Sequence, residues 1–430
     1  MAQQMNILHL QTYDMGGAYM AASRLHQHLT ASGLNSRLMV YSQLNRKSDV
    51  ISCHPQHVLR VGFNKMRFMA GHAGSKVRSD PDYVFRDADH AAIGDIRSLI
   101  DRLPFRPDII VAHWISNFLT AGHLYAISDY FHAPLVWHLL DMAPLTGGCH
   151  YAWECTGYTD RCGNCPALYS DAMDDLSQSI WSKKKAYIEK MNITLVPATG
   201  WLEEQTRRSA LFKEKKIEKI LLGVDPDTFK PVPREIPRKR FGLPLDRKII
   251  FFGAQSLKSR RKGLAYLVEA LHVLLKKRVV SVGNIMLITS GYERNVRAYL
   301  GGSIPYAHLG FLGDESSLAA AYQAADLFVC PSIEDSGPMM INEAIMCGTP
   351  VVSFDMGVAR DLVHNGKTGY RAELKNAGDL AHGIAYILGL RPEEGEKMGR
   401  QCRQVGLDCC HPKVQAASYI NLFRSLVKEK

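Results

Sequence analysis

The chain has 430 residues, 46% of them apolar and 22% charged, with a formal charge of +10. That length exceeds one ordinary core and predicts two domains of about 200 residues each; the composition excludes a disordered chain, and the lack of any uncharged apolar run of about 18 residues excludes a spanning helix. The positive excess favours an anionic partner, whether a phosphorylated small molecule, a membrane surface or nucleic acid, without choosing among them. At the start, MAQQMNILHLQTYDMGG has no basic n-region, and its apolar stretch is only NILHL before Asp14. A secretory signal is not expected there, and a cytoplasmic chain is. MNILHL predicts a buried strand, MGGA at 15–18 a glycine loop, AYMAASRLHQHLTASG a helix stopped by Gly33, and SRLMVYS a second strand. In HVLRVGFNKMRFMAGHAGSKVR, 57–78, Leu59, Phe63, Met66 and Ala70 share a helical stripe edged by Arg60 and Arg67. Such a helix lies on an anionic membrane surface, here the inner face of the cell membrane, or packs on its own domain. DIIVAHW, APLVWHLL and ITLVPA are further strands spaced for intervening helices, and the rhythm restarts at KIIFFGA, 248–254, through IMLITSG, ADLFVCPS and TPVVSF.

The expected fold class is therefore α/β, two facing Rossmann-like doubly wound parallel sheets with a cleft between them. They join near VDPDTFKPVPREIPR, with prolines at 226, 231, 233 and 237. This gives a first domain over 1–225 with a Cys-rich insertion at 146–166, a second over 226–407, and a last helix over 408–430 that packs back on the first. The basic runs at 207–219 and 230–248 read as solvated faces or linker.

PSIEDSGPMMINEAIMCGTPVV, 331–352, belongs at the carboxyl end of a strand, where such folds bind ligands. EDSG is the loop, and Pro338 suits the first helical position because its missing N–H has no partner there. Gly348 and Pro350 end a helix of about 10 residues. The amides of Met339, Met340 and Ile341, with the helix dipole, form a phosphate site, and Gly337 leaves room for the ligand. Asp335 and Glu343 then accept hydroxyls from opposite ends of a nucleotide diphosphate. Glu343 lies too deep to act merely on the dipole.

With Asp335 and Glu343 in this spacing, the chain resembles the retaining glycosyltransferases of family four, of GT-B fold. The resemblance runs nearly full length: MGGA at 15–18, ATGWLEEQTRRSALF at 198–212 for the usual PSxW segment, LLGVDPDTFKP at 221–231, GAQSLKSRRKGLAYLVEAL at 253–271 and HNGKTGY at 364–370. It implies an N-terminal acceptor domain, a C-terminal donor domain, and retaining transfer of a sugar from a nucleotide-diphosphate sugar to a hydroxyl of a saccharide or lipid-linked saccharide, in polysaccharide biosynthesis and without a catalytic metal. Asp335 is then the catalytic-site carboxylate on the donor sugar, Glu343 contacts the ribose, and Arg261 and Lys262 hold the diphosphate. Gly16 and Gly17 bring backbone amides to donor phosphate or acceptor. The plain alternatives are a solvated charge run at 260–262 and a tight turn at 16–17.

Three positions depart from the family pattern. Asp335 stands where Glu is usual, Ala254 replaces a common Arg, and Leu140 precedes Asp141 where His is usual. His138 is two residues before Leu140, and as a core histidine it would be inert; Asp141 or His113 takes over the polar contact as a catalytic candidate. A catalytically impaired nucleotide-sugar-binding protein and an epimerase are the alternatives. Nucleic acid is not expected as a partner, because no basic recognition helix accompanies the cysteines.

TGGCHYAWECTGYTDRCGNCP carries Cys149, Cys155, Cys162 and Cys165. The C-x2-C pair with two further thiolates suits a closed structural zinc site, with His150 able to replace one thiolate. Four free thiols are the alternative, and disulfides are disfavoured in a reducing compartment. The run resembles one found in the subset of family-four transferases that build bacterial surface polysaccharides.

Overall fold

A computed structural model of the chain describes residues 4–44, 50–53, 77–86, 93–279, 281–293, 297–300 and 304–428. Apart from Val77 and Arg78, the amphipathic stretch at 57–78 lies outside these residues. Two units divide the chain: Met1–Ala198 with Leu202–Leu221 and Gln415–Lys430, and Thr199–Trp201 with Leu222–Val414.

The first unit is built on β1 (Asn6–Tyr13), β2 (Asn35–Ser42), β3 (Val50–Ser52), β4 (Ile109–Ala112), β5 (Leu135–Leu139), β6 (Ile193–Pro197) and β7 (Lys216–Ile217). All pair in parallel, in the order β3-β2-β1-β4-β5-β6-β7. Parallel strands are covered on both faces, so β4 and β5 are buried at every residue, as their unbroken apolar runs require. Ile7, Val111, Val136 and Val196 of the central strands pack with Tyr419, Phe423 and Leu426. Those three come from the helix Pro412–Lys428, which begins at a proline and not at Asp408. The helix before it, Pro392–Cys410, ends on His411, whose ψ of 132° breaks the helical path.

The second unit carries β8 (Lys248–Gly253), β9 (Ile285–Ser290), β10 (Tyr306–His308), β11 (Leu327–Cys330), β12 (Val351–Phe354) and β13 (Gly369–Ala372). They are again parallel, in the order β10-β9-β8-β11-β12-β13. The fold is thus two doubly wound Rossmann-like units. In each sheet the order reverses between strands distant in sequence, β1 beside β4 and β8 beside β11. A crevice opens at such a point beyond the carboxyl ends of the strands. Among the described residues no helix is long and apolar enough to cross a membrane.

Candidate functional site

In the second unit, charged groups gather where β8 and β11 end. After β8 the chain makes a tight turn, Arg260–Lys262, closed by Gly263 at φ 71°. A side chain at 263 would overlap the carbonyl oxygen of Pro331, so the glycine lets this turn lie on the loop after β11. The Ile333 N–H donates to the Arg261 carbonyl at 2.8 Å and fixes the pairing. Arg261 Nη1 consequently stands 3.0 Å from Asp335 Oδ2, and Lys262 Nζ bonds the same oxygen. Burial pushes the Asp335 carboxyl up, but the charges of Lys262 and Arg261 and the hydrogen bonds from Lys262 and the Gly337 N–H outweigh it and hold the group below its ordinary value. Two cations and one carboxylate thus share the crevice that the topology opens.

The surrounding loop corrects three expectations. Thr199 Oγ1 donates to the Ser336 carbonyl at 2.6 Å, and a Cβ on Gly337 would meet Thr199 Cγ2 at 2.6 Å. Gly337 therefore makes room for Thr199, where room for a ligand was expected. Pro338 has φ −66° and ψ 107°, so it caps the helix Met339–Met346 instead of starting it, and the helix has 8 residues. Of the three amides expected to meet phosphate, that of Ile341 is already bonded to the Pro338 carbonyl at 3.0 Å. Met340 lies over the end of β8, where a side chain in place of Gly253 would overlap its methyl group. Glu343 is buried, and its Oε2 accepts from the Tyr322 hydroxyl at 3.0 Å. Burial and then Glu343 push the Tyr322 phenol well up, so it serves as a fixed donor to that carboxylate. Nothing in the sequence marked Tyr322, because a tyrosine in the alanine-rich helix Glu315–Ala324 reads as core.

In the first unit, three histidines form a buried chain across β1, β4 and β5. His9 Nδ1 is 2.9 Å from His113 Nε2, and His113 Nδ1 is 3.1 Å from His138 Nδ1. Both ring nitrogens of His113 are thus engaged by other histidines. Burial, followed by the neighbouring rings, holds His9 and His113 well below their ordinary value. Burial alone takes His138 to about 3. The rings are neutral, each with a hydrogen on one nitrogen and a lone pair on the other, and among the described residues the outer Nε2 atoms of His9 and His138 have no partner.

Asp141, just beyond β5, is bonded elsewhere. Its Oδ2 accepts from His150 Nδ1 at 2.6 Å and its Oδ1 from the Ala143 N–H at 3.0 Å. Burial pushes its carboxyl up, but His150, the Ala143 N–H and the Trp114 indole bring it below its ordinary value. His150 was expected as an alternative cysteine-site ligand; the structure turns it to Asp141 instead, a pairing that a separation of nine residues in a loop did not announce. Gly16 precedes the helix Gly17–Ala31 with φ 86°, and a Cβ on Gly16 or Gly17 would meet nothing within 4 Å. Both glycines belong to the first unit and Arg261, Lys262, Asp335 and Glu343 to the second.

Cys149, Cys155, Cys162 and Cys165 line one cavity of about 20 Å³ with Thr146, Tyr158 and Ser177. The Gly147 N–H points at Cys162 Sγ at 3.3 Å and the Gly157 N–H at Cys155 Sγ at 3.5 Å. None of the four is joined in a disulfide. Burial pushes Cys149 up, and Cys162 to about 12. The fold brings the four together, yet among the described residues no three or more His, Cys, Asp or Glu stand where they could hold a metal ion.

Residues 233–405 match the family model "Glycosyl transferases group 1". The chain is similar to D-inositol 3-phosphate glycosyltransferase of Mycolicibacterium smegmatis, 32% identical over 186 residues, which are 41% of this chain and 41% of that protein. It is also similar to phosphatidyl-myo-inositol mannosyltransferase of Mycobacterium leprae, 27% identical over 169 residues, or 39% of this chain and 42% of that one. The matches thus span less than half of these relatives. Among solved structures, sucrose-phosphate synthase from Thermosynechococcus elongatus superposes with a TM-score of 0.68 at 17% identity, covering 99% of this chain and 100% of that one. Anabaena HepE in complex with UDP and glucose does so with a TM-score of 0.62 at 15% identity, covering 98% and 100%. At these identities the likeness is one of fold.

Proposed function

Taking residues 233–405 as a group 1 glycosyl transferase segment, we propose that the chain moves a sugar from a nucleotide-diphosphate sugar to a hydroxyl of a polyol acceptor. The observation that carries this is the pair of cations, Arg261 and Lys262, gathered on Asp335 in the crevice between β8 and β11. A donor diphosphate is the anion those cations suit. When it binds, they exchange the carboxylate for phosphate oxygens, and Asp335 becomes an acceptor for hydroxyls of the donor sugar. The bond from the anomeric carbon to the phosphate oxygen then breaks, and its electron pair leaves with the nucleoside diphosphate. Fixed positive charge where that charge grows lowers the barrier. The acceptor hydroxyl oxygen bonds the anomeric carbon on the face that the nucleotide leaves and gives its proton to the departing phosphate oxygen, so the configuration is retained without an enzyme nucleophile. Glu343, oriented by Tyr322, is the candidate for the ribose hydroxyls.

The relatives named for inositol phosphate and phosphatidyl-inositol widen the acceptor class from saccharides and lipid-linked saccharides to cyclitols. The test is sugar release and transfer over a panel of UDP-, GDP- and ADP-sugars, comparing the native chain with Asp335→Ala and Glu343→Ala. The reading expects one donor to be consumed, both substitutions to slow consumption by about 10²-fold or more, and the product anomer to match the donor by nuclear magnetic resonance. Binding of a donor without release under every acceptor tried would favour a nucleotide-sugar-binding protein. Conversion of the donor into its epimer would favour an epimerase.

A further inference from the structure

Asp335 meets the two cations of the second unit at one end of the loop that carries them. A second carboxylate, Glu293 just beyond β9, holds that loop at the other end. Its Oε1 accepts from the Ser256 hydroxyl at 2.5 Å and its Oε2 from the Leu257 N–H at 2.7 Å. The Lys258 N–H points at Oε1 from 3.5 Å, a looser contact. All three donors belong to the loop that leaves β8. Burial pushes the Glu293 carboxyl up, but the Ser256 hydroxyl and the Leu257 N–H outweigh it and hold the group below its ordinary value. Glu293 is therefore an ionised acceptor, and its hydrogen bonds are charge-assisted, roughly twice as strong as neutral ones.

What Glu293 grips is joined to the cations by a run of short turns. The Ser259 N–H donates to the Ser256 carbonyl at 3.3 Å, and the Lys262 N–H to the Ser259 carbonyl at 3.0 Å. Each step spans three residues, so little slack separates Ser256 from the backbone of Lys262. The loop is pinned again at 261–263, by the Ile333 N–H on the Arg261 carbonyl and by Gly263 against Pro331. Glu293 is itself held in place. The Tyr292 N–H donates to the Gln255 carbonyl and the Gly291 N–H to the Gly310 carbonyl, both at 3.1 Å. The Tyr292 ring stacks on Phe311 with centroids 4.0 Å apart. A Cβ on Gly291 would lie 2.8 Å from the Ala254 carbonyl oxygen and 3.2 Å from Glu293 Oε2, so the glycine lets the loops after β8 and β9 close on each other. A loop ordered before the ligand arrives spares binding the cost of ordering it.

We propose that Glu293 is a positioning residue of the diphosphate site: by holding Ser256 and Leu257 it sets the turn that presents Arg261 and Lys262, and it acts on the nucleotide only through them. The proposal rests on the reading that those cations bind a nucleoside diphosphate, and its test separates the two.

The measurement is calorimetric titration of UDP, GDP and ADP into the native chain and into Glu293→Gln and Ser256→Ala, each made alone and together with Lys262→Ala. Glu293→Gln keeps the size of the side chain and removes its charge. It is expected to weaken binding of the nucleotide that the native chain takes by about tenfold, on the order of one charge-assisted hydrogen bond. Ser256→Ala, which removes one donor, is expected to weaken it by about threefold. Once Lys262 is replaced, Glu293→Gln is expected to cost less than about threefold, because one of the groups that it positions is gone. A merely structural carboxylate, or one that bonds the ribose or the base directly, costs the same with and without Lys262. Urea denaturation shows which variants are folded; if Glu293→Gln is not, the same cycle made with Ser256→Ala decides. Native affinity in a folded Glu293→Gln overturns the proposal, as do equal losses in the two backgrounds. Failure of the native chain to bind any of the three nucleotides would instead strike the transferase reading.

Discussion

Asp335 carries opposed duties. Without donor it neutralises Arg261 and Lys262, whose side chains are 22% and 18% exposed. Replacing it by alanine leaves two half-buried cations near each other. A cost on the order of 1–3 kcal/mol in stability is expected at neutral pH, below the 3–5 kcal/mol for fully buried pairs because water still screens these cations. Urea denaturation measures it. The folded carboxyl lies below its ordinary 3.8, so this stability is present above about that pH and is lost as pH falls through the lower folded value.

The histidine chain loses stability in the same direction of pH as that ion pair, but for burial of neutral rings and not for pairing of charges. The native state keeps His9, His113 and His138 neutral, whereas the unfolded chain protonates them below their ordinary 6.5. The unfolded state therefore binds more protons at acid pH. Stability is complete above about pH 6.5 and declines below it, down to about 3 for His138, by up to ~1.4 kcal/mol per pH unit for each ring. Denaturation midpoints at about pH 7.5 and 5.5 check the slope, and an unchanged midpoint would contradict the assignment.

Among the elements, the helix Pro392–Cys410 is fastened to its unit by Arg403 as well as by its buried Met398, Cys402, Val405 and Cys410. Arg403 donates to the carbonyls of Phe229 at 2.6 Å, Met346 at 2.8 Å and Pro226 at 3.0 Å. These three acceptors lie in the segment after Leu222 and at the end of the helix Met339–Met346. Arg403→Ala is expected to destabilise by about 2–3 kcal/mol, roughly one unit per lost charge-assisted bond. Arg403→Lys would recover only part, because a point charge cannot span the carbonyls as the planar fork does. The helix Pro412–Lys428 stabilises by apolar burial instead, through Tyr419, Leu422, Phe423 and Leu426. Tyr419→Ala there is expected to cost about 3–5 kcal/mol, as other large-to-small core changes do.

At the scale of the whole molecule, the interior strands were legible because parallel sheets demand unbroken apolar runs, and MNILHL, APLVWHLL, KIIFFGA and ADLFVCPS supply them. The strands that escaped notice, β3, β7, β10 and β13, are short edges with partly exposed residues, so they carry no such run. The acid and basic residues of the second unit were legible as types, since a loop after a strand with Asp335 and a turn with Arg261 and Lys262 both follow from pattern. Their mutual pairing was not, because it depends on the register of Gly263 against Pro331, a contact between segments far apart in sequence. Tyr322 behind Glu343 and His150 behind Asp141 were hidden for the same reason. The four cysteines were legible as a cluster, and the cavity they share is its counterpart in space.

The central claim is that Arg261 and Lys262 hold a nucleoside diphosphate. Its most direct test is calorimetric titration of UDP, GDP and ADP into the native chain and into Arg261→Ala and Lys262→Ala. Saturable binding of one nucleotide, weakened at least tenfold by each substitution, or about 1.4 kcal/mol, is the expected result. Equal binding by all three chains, or none by the native one, would contradict the account.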